Sequence, residues 1–119
     1  MSLRKRSWGK KKSHSNKILT EIFKMFFNIT PELSRYRIGS FEKTSGSIIA
    51  QGRIRGRYNA DYELDATKDG EDVIVKFNIW GKKREGISYR VSYPVAAKVA
   101  NKFSIWFHDK LSAIRAGEL

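Results

Sequence analysis

The chain has 119 residues, 40% of them hydrophobic, and carries 24 Lys/Arg against 12 Asp/Glu for a formal charge of +12. That apolar share supports one modest core and argues against a disordered chain, so a single domain is expected. The absence of cysteine excludes disulfides, thiolate metal sites and a cysteine nucleophile, and fits a reducing compartment.

The first seventeen residues, MSLRKRSWGKKKSHSNK, hold Arg4, Lys5, Arg6, Lys10, Lys11, Lys12 and Lys17 and no acid. Residues 1–15 are expected to form a disordered basic arm, and 16–119 a single α+β domain. Without those seven cations, 17 basic residues face 12 acidic ones, or +5, so the charge is concentrated in the arm. A wholly positive segment is favoured beside a polyanion, because each neutralised phosphate releases condensed counterions. Trp8 adds a ring able to stack on a base, which a merely solubilising tail does not need. The RKR and KKK blocks also resemble a nuclear-localisation pattern. No apolar h-region follows the charged start, so a secretory signal is not expected. The acid-free, Arg/Ser-bearing start has some transit-peptide character, but no apolar face appears before Ile18. No apolar stretch approaches the roughly 18 residues of a membrane span. The expected location is the cytoplasm, or the nucleus in a eukaryote.

Ser15 or Asn16 can cap a helix over 16–28. Ile18, Leu19, Ile22, Phe23, Phe26 and Phe27 recur at helical spacing, with Lys17, Glu21, Lys24 and Asn28 opposite. A basic arm leading into a Phe-rich face also suits an anionic membrane surface, but the same face is needed to cover a sheet. Thr30-Pro31-Glu32-Leu33 reads as a short helical turn, with Thr30 as cap and Pro31 first.

The middle of the chain is strand-like. Tyr36 and Ile38 alternate with Arg35 and Arg37, and a turn follows at Lys43-Thr44-Ser45-Gly46. Ser47 to Tyr58 reads as the second strand, with Gly52 and Gly56 marking bulges or close backbone approach. Asp61 to Thr67 is the third, with Tyr62, Leu64 and Ala66 on one face. Lys68-Asp69-Gly70 signals a tight hairpin. Val73, Val75, Phe77 and Ile79 form the core face of the fourth. A turn over Gly81–Gly86 carries Lys82, Lys83 and Arg84. Ile87, Tyr89, Val91 and Tyr93 give the fifth, ended by Pro94. A long amphipathic helix over 95–115 presents Val95, Val99, Phe103, Trp106, Phe107, Leu111 and Ile114, with Lys98, Lys102, Lys110 and Arg115 mostly on its wet side. Gly117 is its stop signal.

The expected fold is thus α+β: an N-terminal helix, about five strands in an antiparallel meander, and a long C-terminal helix packed on the same sheet face. Over residues 16–116 this element order resembles helix-grip domains, and more distantly the TATA-binding-protein-like α/β domains. The helix-grip resemblance implies a small-molecule or lipid cavity, here around Phe103, Trp106 and Tyr89.

Arg53, Arg55 and Arg57 share one strand face, which taken alone is a binding stripe. A three-residue loop at Asn59-Ala60-Asp61 sets Arg57 opposite Glu63 and Arg55 opposite Asp65, with Tyr58 beside Tyr62 and Ile54 beside Ala66. That register satisfies both faces and neutralises the stripe. The Lys82-Lys83-Arg84 turn has only Glu85 nearby and keeps its charge. Trp80 reads either as an exposed aromatic or as a cover for the outer sheet face. His14 and His108 are the only histidines, and helical neighbours His108 and Asp109 point about 100° apart, too far for a dyad. No phosphate loop, metal cluster or nucleophile motif appears.

The expected function is non-catalytic nucleic-acid binding, to DNA or RNA, with no cofactor and no metal. Arg4, Lys5, Arg6, Lys10, Lys11 and Lys12 contact phosphates, Trp8 stacks, and Lys82, Lys83 and Arg84 form a second contact. The alternatives are a helix-grip carrier docked on an anionic surface and an assembly subunit binding an acidic protein. A homo-oligomer is compatible with the sequence but not predicted.

Overall fold

The computed structural model describes residues 17–29, 38–55 and 59–118, with only the backbone described over 38–43. The arm, the Thr30–Leu33 turn, Arg35–Arg37, Arg57 and Tyr58 lie outside the described residues.

Helix α1 covers 17–29. Its apolar repeat does what its spacing requires: Leu19, Ile22, Phe23 and Phe26 are buried, while Lys17, Lys24 and Asn28 are exposed. The strands are β1 (Ile38–Lys43), β2 (Ser47–Ile54), β3 (Ala60–Asp69), β4 (Asp72–Trp80) and β5 (Arg84–Val91). They form one open antiparallel sheet in the order β1-β2-β3-β4-β5. A single 3-10 turn, Tyr93–Val95, leads into helix α2 (Ala96–Arg115). Pro94 fixes this turn, so Tyr93 leaves the ladder and is exposed, although its position alternates with Val91.

Helix α2 ends as its sequence predicts. Gly117 takes φ +78°, the Gly117 N–H donates to Ile114 O at 3.0 Å, and Glu118 N–H donates to Ala113 O at 2.8 Å. This paired arrangement closes orphan carbonyls and requires a left-handed residue, which glycine supplies without strain.

Both helices lie on one sheet face. Phe77 sits at the middle of the inner face of β4, and its ring meets Phe103 at 5.2 Å, Phe107 at 5.4 Å and Trp106 at 5.9 Å from α2. Phe26 of α1 meets Phe103 at 5.5 Å and Tyr89 of β5 at 6.0 Å. One aromatic cluster therefore joins both helices to the sheet, and the apolar face of α1 is used by the core. The outer face carries no helix among the described residues.

The pairing of β2 with β3 differs from expectation. Ile54 faces Ala60, Arg53 faces Asp61, Gly52 faces Tyr62 and Gln51 faces Glu63. The strands part at Ile54 and rejoin at Ala60, so Asn59-Ala60-Asp61 is not the loop. The slip from the expected register is even, and an even slip leaves every side chain on its own face, so hydrophobic alternation cannot detect it. The deciding feature is Gly52. A Cβ there would lie 2.7 Å from Cε2 of the buried Tyr62 ring, so the ring occupies the space of the missing side chain. Gly52→Ala is expected to cost about 1–3 kcal/mol by overpacking. Thermal unfolding checks this, and an unchanged midpoint would mean that the Tyr62 ring has room to move aside.

Burial also raises the Tyr62 hydroxyl above its ordinary value of 10.0. The folded chain then holds this proton more tightly than the unfolded chain. Stability from this source is complete below pH 10 and is lost as pH rises through the higher folded value. Tyr62→Phe is expected to flatten the alkaline fall in melting temperature above about pH 10. A residual fall remains, because burial raises Tyr89 as well. An alkaline limb as steep as wild type would contradict the assignment.

Candidate nucleic-acid interface

The described part of the candidate site is the tip of the β4–β5 hairpin. Gly81 N–H donates to Lys83 O at 3.0 Å and closes a turn over 81–83. The turn is shorter than expected: Arg84 is not in it but opens β5, directly opposite Trp80. The reason is visible in the pair itself. The Arg84 guanidinium lies over the Trp80 ring, 5.2 Å from its centroid, a cross-strand cation–π contact that favours continuing the ladder. Lys82 and Lys83 project exposed from the turn. Trp80 is half-buried on the outer face, so it covers part of the sheet and is itself covered by Arg84.

The register extends this pair into a transverse row. Arg53 faces Asp61, Asp61 faces Trp80, and Trp80 faces Arg84. At roughly 4.8 Å per strand, Arg53 and Arg84 stand about 14 Å apart across the outer face. In an antiparallel meander alternate connections return to the same end. The exit of β2 and the tip of β4–β5 therefore share one end of the sheet, and Arg55, exposed just beyond β2, joins Lys82, Lys83 and Arg84 there. Reading the strands singly missed this; counting the connections finds it.

The expected neutralisation of the arginine stripe is corrected. Arg53 Nε donates to Asp61 Oδ1 at 3.1 Å, an exposed pair worth about 0–1 kcal/mol. Glu63 instead accepts from Gln51 Nε2 at 2.5 Å, and Asp65 from Thr67 Oγ1 at 2.9 Å. Arg55 has no carboxylate partner among the described residues, and Arg57 lies outside them.

Glu85, the one acid near the tip in sequence, turns to the inner face. Its Oε1 is 3.2 Å from Lys110 Nζ, which also lies 5.6 Å from the Trp106 ring centroid. Lys110 is thus half-buried rather than on the wet side of α2. The opposite end of the sheet is balanced differently. Arg90 donates to Asp69 at 2.5 Å and to Asp72 at 3.3 Å, and these bonds, Asp69 first, hold its guanidinium above its ordinary value. The cationic end and the compensated end are therefore distinct.

Elsewhere, His108 Nδ1 donates to Ser104 O at 2.8 Å, while the Asp109 carboxylate lies 3.9 Å from Lys110 Nζ. Among the described residues no group of His, Asp and Glu could hold a metal ion, and no helix is long and apolar enough to cross a membrane. Phe103, Trp106 and Tyr89, the side chains around which a carrier cavity is expected, each contact another ring of the core. Compared with known protein families, curated proteins and solved structures, the chain has no match.

Proposed function

We propose that this protein binds nucleic acid without catalysis, chiefly through phosphate contacts. Arg4, Lys5, Arg6, Lys10, Lys11 and Lys12 of the arm make the main contact, and Trp8 stacks beside them. Lys82, Lys83 and Arg84, joined by Arg55, make a second contact at one end of the sheet. One arrangement supports this most: at that end the acids are engaged by other partners, Asp61 by Arg53 and Glu85 by Lys110, while Arg55, Lys83 and Arg84 have no carboxylate partner among the described residues. Clustered cations without acids attract a polyanion and cost the fold self-repulsion in its absence.

The ring contacts of Phe103, Trp106 and Tyr89 weigh against the carrier reading, because a ligand there would have to displace packed aromatics. The burial of Phe23 and Phe26 weighs against α1 as a membrane-surface helix for the same reason.

The test is fluorescence anisotropy of the full chain against single-stranded DNA, duplex DNA, RNA and anionic vesicles at two salt concentrations. Binding to at least one nucleic acid that weakens steeply with salt is expected. Binding to vesicles alone, or to none of the four, would contradict the proposal.

A further inference from the structure

We infer that the Trp80–Arg84 pair is a stacking platform for an unpaired base, which makes single-stranded nucleic acid the preferred substrate class. This rests on the nucleic-acid reading above and assigns a distinct role to one part of the same site.

Four observations converge on it. First, Trp80 lies on the sheet face that carries no helix among the described residues, so a chain running over the outer face meets it. Second, glycines stand beside it. Gly81 follows it, and Gly86, opposite Asn78 in the next row, carries no side chain and leaves a space that the Asn78 side chain enters: a Cβ there would lie 2.6 Å from Asn78 Oδ1. Third, the group over the ring is a guanidinium. A planar cation stacks on a base as readily as on an indole, so a base can add to the Arg84 plane or take its place on the ring. Fourth, cations stand at the same end of the sheet as the ring, Arg55 beyond β2 and Lys82 and Lys83 in the turn, while Asp61, opposite Trp80, is held by Arg53. These cations can contact the phosphates either side of a stacked base.

Phosphate contacts alone do not separate single from double strands. Bases in a duplex are already stacked on one another and present only their edges, so an indole on a sheet surface cannot reach a π-face without unpairing them. At the sheet, discrimination therefore comes from the Trp80 ring. Base–aromatic stacking on a single strand is sequence-tolerant, since every base has such a face.

The experiment uses the full chain and three labelled oligonucleotides of equal length: a single strand, its duplex and an abasic single strand. Wild type is expected to bind the single strand more tightly than the other two. Trp80→Ala is expected to weaken single-strand binding about 5- to 150-fold, toward the level of the abasic strand with only the Trp8 stacking left, and to leave the abasic and duplex affinities unchanged. Trp80→Phe keeps a ring and is expected to retain most of the preference, which separates stacking from loss of fold. Equal loss for all three oligonucleotides, no loss for the single strand, or loss on Trp8→Ala with none on Trp80→Ala would overturn the inference while leaving phosphate binding intact. Absence of wild-type binding to all three would instead remove the nucleic-acid reading itself.

Discussion

Replacing Phe77 with alanine is expected to cost about 3–5 kcal/mol, the range for deleting a buried aromatic from a core that relaxes only in part. The position argues for the upper half of that range. Phe77 is 1% exposed, and its ring contacts Tyr62 on the neighbouring strand as well as Phe103, Trp106 and Phe107 on α2. Three of those contacts are edge-on, an arrangement that adds roughly 0.5–1.5 kcal/mol per pair beyond buried area. The loss falls at the junction of sheet and helix, and α1 is affected too, because Phe26 reaches the sheet through Phe103. Domains of this size have about 5–15 kcal/mol in total, so the variant is expected to be partly unfolded at ambient temperature or to melt far below wild type. Denaturant titration followed by circular dichroism checks this. A midpoint within a few tenths molar of wild type would show that the aromatic cluster is not the centre of the core.

Replacing the six arm cations Arg4, Lys5, Arg6, Lys10, Lys11 and Lys12 with alanine is expected to have the largest effect on binding. Each neutralised phosphate contributes about 0.7 to the slope of log affinity against log salt on a single strand and about 0.9 on a duplex. If all six make contacts, the slope flattens by about 4 on a single strand and about 5 on a duplex. Over a fourfold change in salt, the wild type then loses roughly 300-fold more single-strand affinity than the variant does. Replacing Lys82, Lys83 and Arg84 is expected to flatten the slope by about half as much, roughly 2 on a single strand, since half as many cations are removed. The arm variant leaves the Phe77 cluster untouched, so its fold and melting temperature are expected to stay at wild-type values. That separates it from every core substitution.

The elements that could be read from the residues were those whose side chains have one place to go. The repeat from Ile18 to Phe26 permits only one buried face. The alternations Tyr62-Leu64-Ala66 and Val73-Val75-Phe77-Ile79 assign each strand its inner side, and Gly117 marks a helix end that only a left-handed residue completes. What escaped was relative placement. A strand slipped by an even number of residues presents the same pattern, so the partners of Arg53 and Glu63 could not be chosen from alternation. The contact between Gly52 and Tyr62 that decides the register exists only once the strands are paired. Glu85 is the acid nearest the hairpin tip in sequence, yet a strand turns consecutive side chains to opposite faces, and its partner Lys110 comes from α2. Both placements bear on the candidate site in the same direction: the cationic end of the sheet is less compensated than its neighbours in sequence suggest. The arm lies outside the described residues, so its part in the site rests on its composition.

The measurement that bears most directly on the central proposal is the salt dependence of binding to a labelled single strand, taken by fluorescence anisotropy from low to physiological salt on wild type and on the six-alanine arm variant side by side. A steep wild-type slope and a variant slope flatter by about 4 are predicted. Identical slopes and affinities for the two proteins would contradict the proposal that the arm carries the phosphate contacts.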